Sequence, residues 1–208
     1  MKLHYLTFPI FALLVLASGC TDNPTSCDCF EPSTDAFPAT LGSSWTYVVH
    51  DSLRNTRDTV RVGITGTVKD AEFQTLYVWE YRWSNRVDTE YVAIDRDTVF
   101  VFDAIRGKRG EVKTVYEFPL YTGKKWWNRY FNDTVTVSGI SAVSTPAGVF
   151  PRCFVLVSEW GGFNEYGRYT TWFYPKVGIV HMTRKEWGFG MKNEMWELID
   201  FLIPTVLG

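Results

Sequence analysis

From Phe37 onward the sequence is a succession of short runs rich in Val, Thr, Tyr, Phe and Trp, each closed by a turn signal. Branched and aromatic side chains pack well on a pleated surface, so such runs read as strands. Strands are expected near 44–50, 57–67, 73–83, 87–94, 97–102, 112–118, 133–143, 152–160, 167–174, 177–187 and 192–202. Ser84-Asn85, Asp95-Arg96, Gly107 to Gly110, Gly161-Gly162, Tyr174-Pro175 and Gly188-Phe189-Gly190 separate them. The Gly107 to Gly110 segment reads as a solvated hairpin tip. Intervals this short favour hairpins over helical crossovers, and no segment after residue 36 sustains a helical period. The expected fold class is all-β: a mainly antiparallel meander forming a sandwich or a strongly curved, half-open barrel.

Period-two alternation assigns faces. Val135 and Val137 oppose Thr134, Thr136 and Ser138, as in a half-exposed strand. In 73–83, Phe73, Tyr77, Trp79, Tyr81 and Trp83 share one face, opposite Leu76 and Val78. A row of that size is covered by another sheet, a partner or a ligand, because monomers avoid such patches in water. Segment 152–160 is apolar on both faces, as in a central strand.

One spacing occurs twice. Phe37-Pro38 is followed by Gly42 and Trp45, and Phe118-Pro119 by Gly123 and Trp126. Each copy precedes about five strands, so 37–204 reads as one β domain with two internal halves, 37–117 and 118–204. Two accounts fit: a duplicated β unit, or one edge device used twice.

The first nineteen residues look different. Lys2 precedes an apolar run from Leu6 to Leu16, broken only by Thr7 and Pro9, and small residues lead to Cys20. That is the pattern of an export signal, and the run is too short for a mature membrane span, which needs roughly 20 apolar residues. Leu16-Ala17-Ser18-Gly19-Cys20 resembles the bacterial lipobox. The resemblance implies cleavage before Cys20 and lipid on its thiol and amine, and more than one acyl chain gives stable anchoring. Thr21 rather than Asp after the cysteine resembles outer-membrane sorting in a Gram-negative cell. The membrane is thus the expected partner, through Cys20. Residues 20–36, rich in Pro, Ser, Thr and Asp, read as a tether.

Three further cysteines are Cys27, Cys29 and Cys153. Export permits disulfides, and one residue between Cys27 and Cys29 is too little for an unstrained bridge. The open possibilities are a staple from Cys27 or Cys29 to Cys153, no defined role, or a soft metal on three thiolates.

Leu41-Gly42-Ser43-Ser44-Trp45-Thr46-Tyr47, Phe118-Pro119-Leu120 with Gly123 and Trp126, Thr145-Pro146-Ala147-Gly148-Val149-Phe150 and Tyr174-Pro175-Lys176-Val177-Gly178-Ile179-Val180 resemble segments of exported bacterial β-rich lipoproteins without assigned activity. The resemblance implies an envelope protein over about 37–200 and brings no active site with it, since these motifs are turns and packing devices.

Chemistry is sparse. A net charge of −2 leaves no electrostatic footprint for nucleic acid. Of three histidines, His4 lies in the signal, His50 ends a strand and His181 sits within one. No Gly-x-Ser-x-Gly elbow, His-Glu-x-x-His pair, EF-type loop or phosphate loop occurs. Carboxylates at Glu80, Glu90, Glu159, Glu165, Glu194 and Glu197 cannot be paired from sequence for glycoside chemistry. No catalytic residue, metal ligand or cofactor is expected. The remaining lead is nine tryptophans. Tyr77, Trp79, Tyr81, Trp83, Trp126 and Trp127 form a candidate groove for an apolar or sugar ligand. The expected function is a non-catalytic envelope lipoprotein that binds or scaffolds. A carrier with an aromatic groove and an enzyme on an envelope polymer are the alternatives. An aromatic-lined pocket favours the carrier; two convergent carboxylates favour the enzyme.

Overall fold

A computed structural model describes residues 32–128, 132–162, 164–188 and 191–205. Cys20, Cys27 and Cys29, and with them the expected lipidation and disulfide partners, lie outside the described residues. One 3-10 turn, Thr34–Ala36, precedes twelve strands. These are β1 (Ser44–Asp51), β2 (Thr56–Asp70), β3 (Gln74–Arg82), β4 (Val87–Asp95), β5 (Thr98–Ile105) and β6 (Lys108–Glu117). They continue as β7 (Lys125–Asn128), β8 (Asp133–Thr145), β9 (Gly148–Gly161), β10 (Tyr166–Tyr174), β11 (Gly178–Trp187) and β12 (Lys192–Leu202). The expected all-β antiparallel meander is what forms, as a curved and nearly closed barrel. Strand β7, with Trp126 and Trp127, is an addition to the strands read from sequence.

All twelve strands form one sheet in the order β6-β5-β4-β3-β2-β1-β12-β11-β10-β9-β8-β7. Every pairing is antiparallel, and the first and last strands pair with each other. Right-handed strand twist curls so wide a sheet back on itself. Bulges sharpen the curl, at Ile64/Gly66 between β2 and β3 and at Val137/Gly139 between β8 and β9. The two sheet edges, β6 and β7, meet without strand pairing; Trp126 Nε1 donates to Val115 O across this seam at 2.7 Å.

Alternation places one face of each strand inside. Trp45, Tyr47 and Val49 of β1 are buried beside Val60, Val62 and Ile64 of β2. Val135 and Val137 of β8 are buried, and Thr134 and Ser138 exposed, as the sequence pattern required. Each fully buried Val, Leu or Phe contributes roughly 1.5–3 kcal/mol of hydrophobic stabilisation.

The doubled Phe-Pro-Gly-Trp spacing is a doubled structure. Gly42 N donates to Ile64 O at 3.0 Å, and Ile64 N to Ser43 O at 2.9 Å. Gly123 N donates to Val137 O at 2.8 Å, and Val137 N to Lys124 O at 2.9 Å. Both glycines have positive φ, 84° and 90°, which glycine adopts without a Cβ penalty. Each bulge follows the strand residue so bonded, Ile64 or Val137. Phe37 and Phe118 lie on opposite sides of the repeat yet both contact the Phe173 ring, at 6.2 and 6.0 Å. The copies differ in length: β1 has eight residues and pairs on both sides, whereas β7 has four and pairs with β8 alone.

One face assignment needs correction. Gln74 has φ 61°, and this left-handed step breaks the alternation of 73–83. Phe73 therefore leaves the inner row and packs outside on Phe100 and Phe102, at 5.2 and 5.5 Å, in a small cluster with Leu76 and Tyr91. The β5–β6 hairpin tip is exposed at Gly107 and Lys108, as expected, while Arg109 beside it folds back onto the protein. Bulges at Val101/Phe102 and Phe102/Ala104 bend it over that cluster. There Arg109 lies over the Phe73 and Phe102 rings and bonds Asp70 and Glu72, both at 3.0 Å. Tyr91 Oη donates to Gly107 O at 2.7 Å.

A candidate ligand cavity in the barrel

The barrel has a floor built from chain ahead of β1. Pro32 and Ala36, read from sequence as the end of the tether, are buried. Thr34 Oγ1 donates to Arg96 O at 3.0 Å, and Lys176 N to Ala36 O at 2.6 Å. These bonds seat Phe37 in the barrel end where β1 starts and β10 finishes. Its ring meets Trp79 and Tyr116, each at 5.8 Å. Trp45 stacks on Trp79 at 5.1 Å and 15°.

Above this floor the interior is not filled. A cavity of about 300 Å³ remains, at the lower end of the range for small-molecule sites. Trp79, Tyr81, Trp83 and Trp126 line it, together with Trp45 and Trp196. Its far end, at the β3–β4 turn, carries the exposed Arg86 and Asp88. Trp83 and Trp196 meet edge-on there at 5.2 Å and 84°. The site therefore grades from an aromatic floor to a charged mouth.

The charges are paired among themselves. Arg86 Nε bonds Asp88 at 2.9 Å, and Lys113 Nζ bonds the buried Glu90. Arg184 lies 3.7 Å from Glu194 and 3.9 Å from Glu186, over the ring of Tyr169. Burial opposes charge on Arg184, but Tyr169 and Glu194 around it outweigh that, so its pKa is raised. Burial, helped by the bond to Glu186, pushes the Tyr169 phenol up to about 12. Burial likewise raises Tyr47, Tyr81 and Tyr116, so these wall phenols stay neutral at physiological pH. Asn128 and Ser158 also line the cavity, and Ser158 bonds the buried Asp133. Burial raises the Asp133 carboxyl against the hydrogen bond from Ser158 Oγ.

Of the six residues proposed from sequence as a groove, Trp79, Tyr81, Trp83 and Trp126 come together in the cavity. Tyr77 does not line it; it is half-buried between the two inner clusters, one register step below Trp79. Trp127 points outward, 51% exposed, because it is the neighbour of inward Trp126 on a strand. Trp45, Trp196, Asn128 and Arg184 were missing from the groove read in sequence. The repeat carried the signal for one of them, since Trp45 occupies the position equivalent to Trp126.

The remaining reactive residues lie elsewhere. Cys153 is fully buried, with Sγ 3.6 Å from Phe150 O, and burial lifts its thiol to about 11. His181 packs edge-on against Trp172 at 4.8 Å. Among the described residues no three His, Cys, Asp or Glu side chains converge as a metal site, and no helix is long and apolar enough to cross a membrane.

No protein-family profile matches the chain, and no curated protein does. Solved structures do. A candidate exported protein with a YmcC-like fold from Bacteroides fragilis superposes with a TM-score of 0.51 at 13% identity, covering 80% of this chain and 98% of its own. A candidate lipoprotein from Parabacteroides distasonis gives 0.41 at 11% identity, covering 82% and 100%. The barrel is thus a fold shared with the Bacteroides fragilis protein.

Proposed function

We propose that this chain is an exported, lipid-anchored binding protein that holds a small amphipathic molecule inside its barrel and performs no chemistry on it. The anchor is Cys20. One observation carries the ligand reading: an aromatic-lined cavity of about 300 Å³ that the fold itself leaves unfilled. A scaffold has no use for such a space, and closing it would be favourable, because empty interior forfeits dispersion contacts. A packed barrel would have placed larger side chains there, as it does around Phe154. The cavity therefore favours the carrier, one of the alternatives read from sequence, over a scaffold without a ligand. The charged groups at the mouth are engaged in ion pairs, which supports binding over acid–base catalysis.

The test is uptake of N-phenyl-1-naphthylamine, a neutral apolar probe whose emission rises in dry surroundings. Saturable uptake by the purified chain, lost in Trp79→Ala while the melt stays cooperative, is the expected result. No uptake, together with a Trp79→Ala melt as damaged as that of a packed core site, returns the scaffold reading.

A further inference from the structure

An open cleft lies on the outer face of the barrel, lined by Arg57, Arg61 and Arg82 with Asp58, Thr59 and Ser84. Trp83 lines both this cleft and the cavity, which places the cleft beside the mouth. Alternation along β2 turns Arg57, Thr59 and Arg61 outward, since Val60 and Val62 are buried inside. Register then sets Arg61 directly opposite Arg82 of β3, and like charges so placed destabilise a sheet. Arg82 is held by Glu80 at 2.6 Å. Asp58 accepts from Thr59 N at 2.7 Å and from Ser84 Oγ at 3.2 Å. The side chains of Arg57 and Arg61 have no ion pair or hydrogen bond among the described residues, and both are exposed.

A chain of net charge −2 thus gathers uncompensated positive charge in one place. Guanidinium groups match phosphate oxygens in geometry as well as charge. Two exposed apolar side chains border the cleft: Val87, directly opposite Arg82, and Leu53 in the β1–β2 turn. Cations beside apolar groups suit a lipid surface, where phosphates and the acyl boundary lie next to each other. Resting on the lipid anchor and the carrier reading, we infer that this cleft docks the barrel on the anionic phospholipid headgroups of the membrane that holds Cys20. Chain length permits it. Residues 20–31 can span at most about 40 Å, whereas β1, with eight residues, is about 26 Å from end to end. The mouth end can therefore reach the membrane even though the chain enters at the floor. Tethering keeps that surface at high effective concentration, so a weak contact suffices. The mouth is thereby brought to the surface that stores amphipathic molecules.

The experiment floats the mature chain, residues 20–208 with Cys20→Ser so that no lipid contributes, with vesicles of phosphatidylglycerol or of phosphatidylcholine at millimolar lipid and low salt. Binding to phosphatidylglycerol alone is expected, released by high salt because exposed charges are screened. Arg57→Gln and Arg61→Gln should each weaken it about fivefold, the factor that corresponds to about 1 kcal/mol per cation near an anionic surface. Lys125→Gln removes an exposed cation outside the cleft and should change binding less than about twofold. Arg61→Lys keeps the charge and should keep most of the binding. Urea midpoints of the arginine variants should match or exceed that of the parent chain, since a like-charge pair is relieved. Equal binding to both vesicles overturns the inference, as does a loss in Lys125→Gln as large as in Arg57→Gln and Arg61→Gln. Absence of binding to phosphatidylglycerol overturns it too. Each of these leaves the carrier reading standing, because uptake of N-phenyl-1-naphthylamine in solution involves no membrane.

Discussion

Trp45 and Trp79 stack on each other, yet truncating them should have unequal consequences. Trp45 is 2% exposed and its N–H reaches Val177 O at 2.7 Å. Emptying a fully buried aromatic site costs about 3–5 kcal/mol. Leaving Val177 O without its donor adds about 1–3 kcal/mol, so Trp45→Ala should cost about 5 kcal/mol or more. Trp79 is the other half of that stack, but it is only half-buried and its N–H has no bond to lose. Trp79→Ala forfeits its contacts with Trp45 and Phe37, about 1 kcal/mol each, and part of a transfer contribution. About 2–3 kcal/mol in total follows. The shared stack is lost in both variants and cancels in the comparison. Urea melts followed by far-ultraviolet circular dichroism read the difference. With a slope of about 2 kcal/mol per molar, the midpoints should lie about 1 M apart. If Trp45→Ala is too damaged to melt cooperatively, the Phe variants serve, since Trp45→Phe loses a hydrogen bond and Trp79→Phe loses none. Equal midpoints, or a lower one for the Trp79 variant, would refute a cavity beside Trp79 and mean that its ring is packed on all sides.

Cys20→Ser should abolish fatty-acid labelling and membrane retention while the domain still folds; equal labelling of wild type and variant would sink the lipid anchor. Cys153, buried and with its thiol lifted to about 11, should resist alkylation at pH 8 in the native state and react within minutes in denaturant; prompt native modification would contradict its burial. Asp133 has a raised folded pKa, so its contribution to stability is fully present below the unfolded value of 3.8 and is lost as pH rises through the folded value. Asp133→Asn should therefore stabilise the barrel at pH 7, with the gain vanishing near pH 3. A variant less stable at pH 7, or a gain independent of pH, would show that burial does not dominate that carboxyl.

Local pattern was enough for the strands. Side-chain period two and turn residues are properties of neighbouring positions, so Val135 and Val137 inward, the turn at Asp95-Arg96 and the all-β class could be read directly. The Phe-Pro-Gly-Trp repeat was also legible, because a glycine turn and an anchoring Trp are short-range devices. Phe73 shows the limit of such reading. A single positive φ at Gln74 reverses the face of everything before it, and no side-chain pattern reports a backbone angle adopted by a non-glycine residue. Trp127 shows another: β7 is four residues long, too short for its alternation to be recognised.

Aromatic residues on β3 were fixed by the sequence, but whether they meet packing or space depended on residues far away in the chain. Strands β1 and β12 join the two halves of the sheet across more than 140 residues, the segment around Phe37 seals one end, and the side chains of β9 and β10 stop short of filling the middle. A cavity is the volume left over after all the walls are placed, so only the tertiary structure could decide it. The orphaned N–H of Trp79 and amide oxygen of Asn128 are of the same kind. Hydrogen-bonding capacity is written in the residue type, but its satisfaction depends on what the fold brings within 3.5 Å.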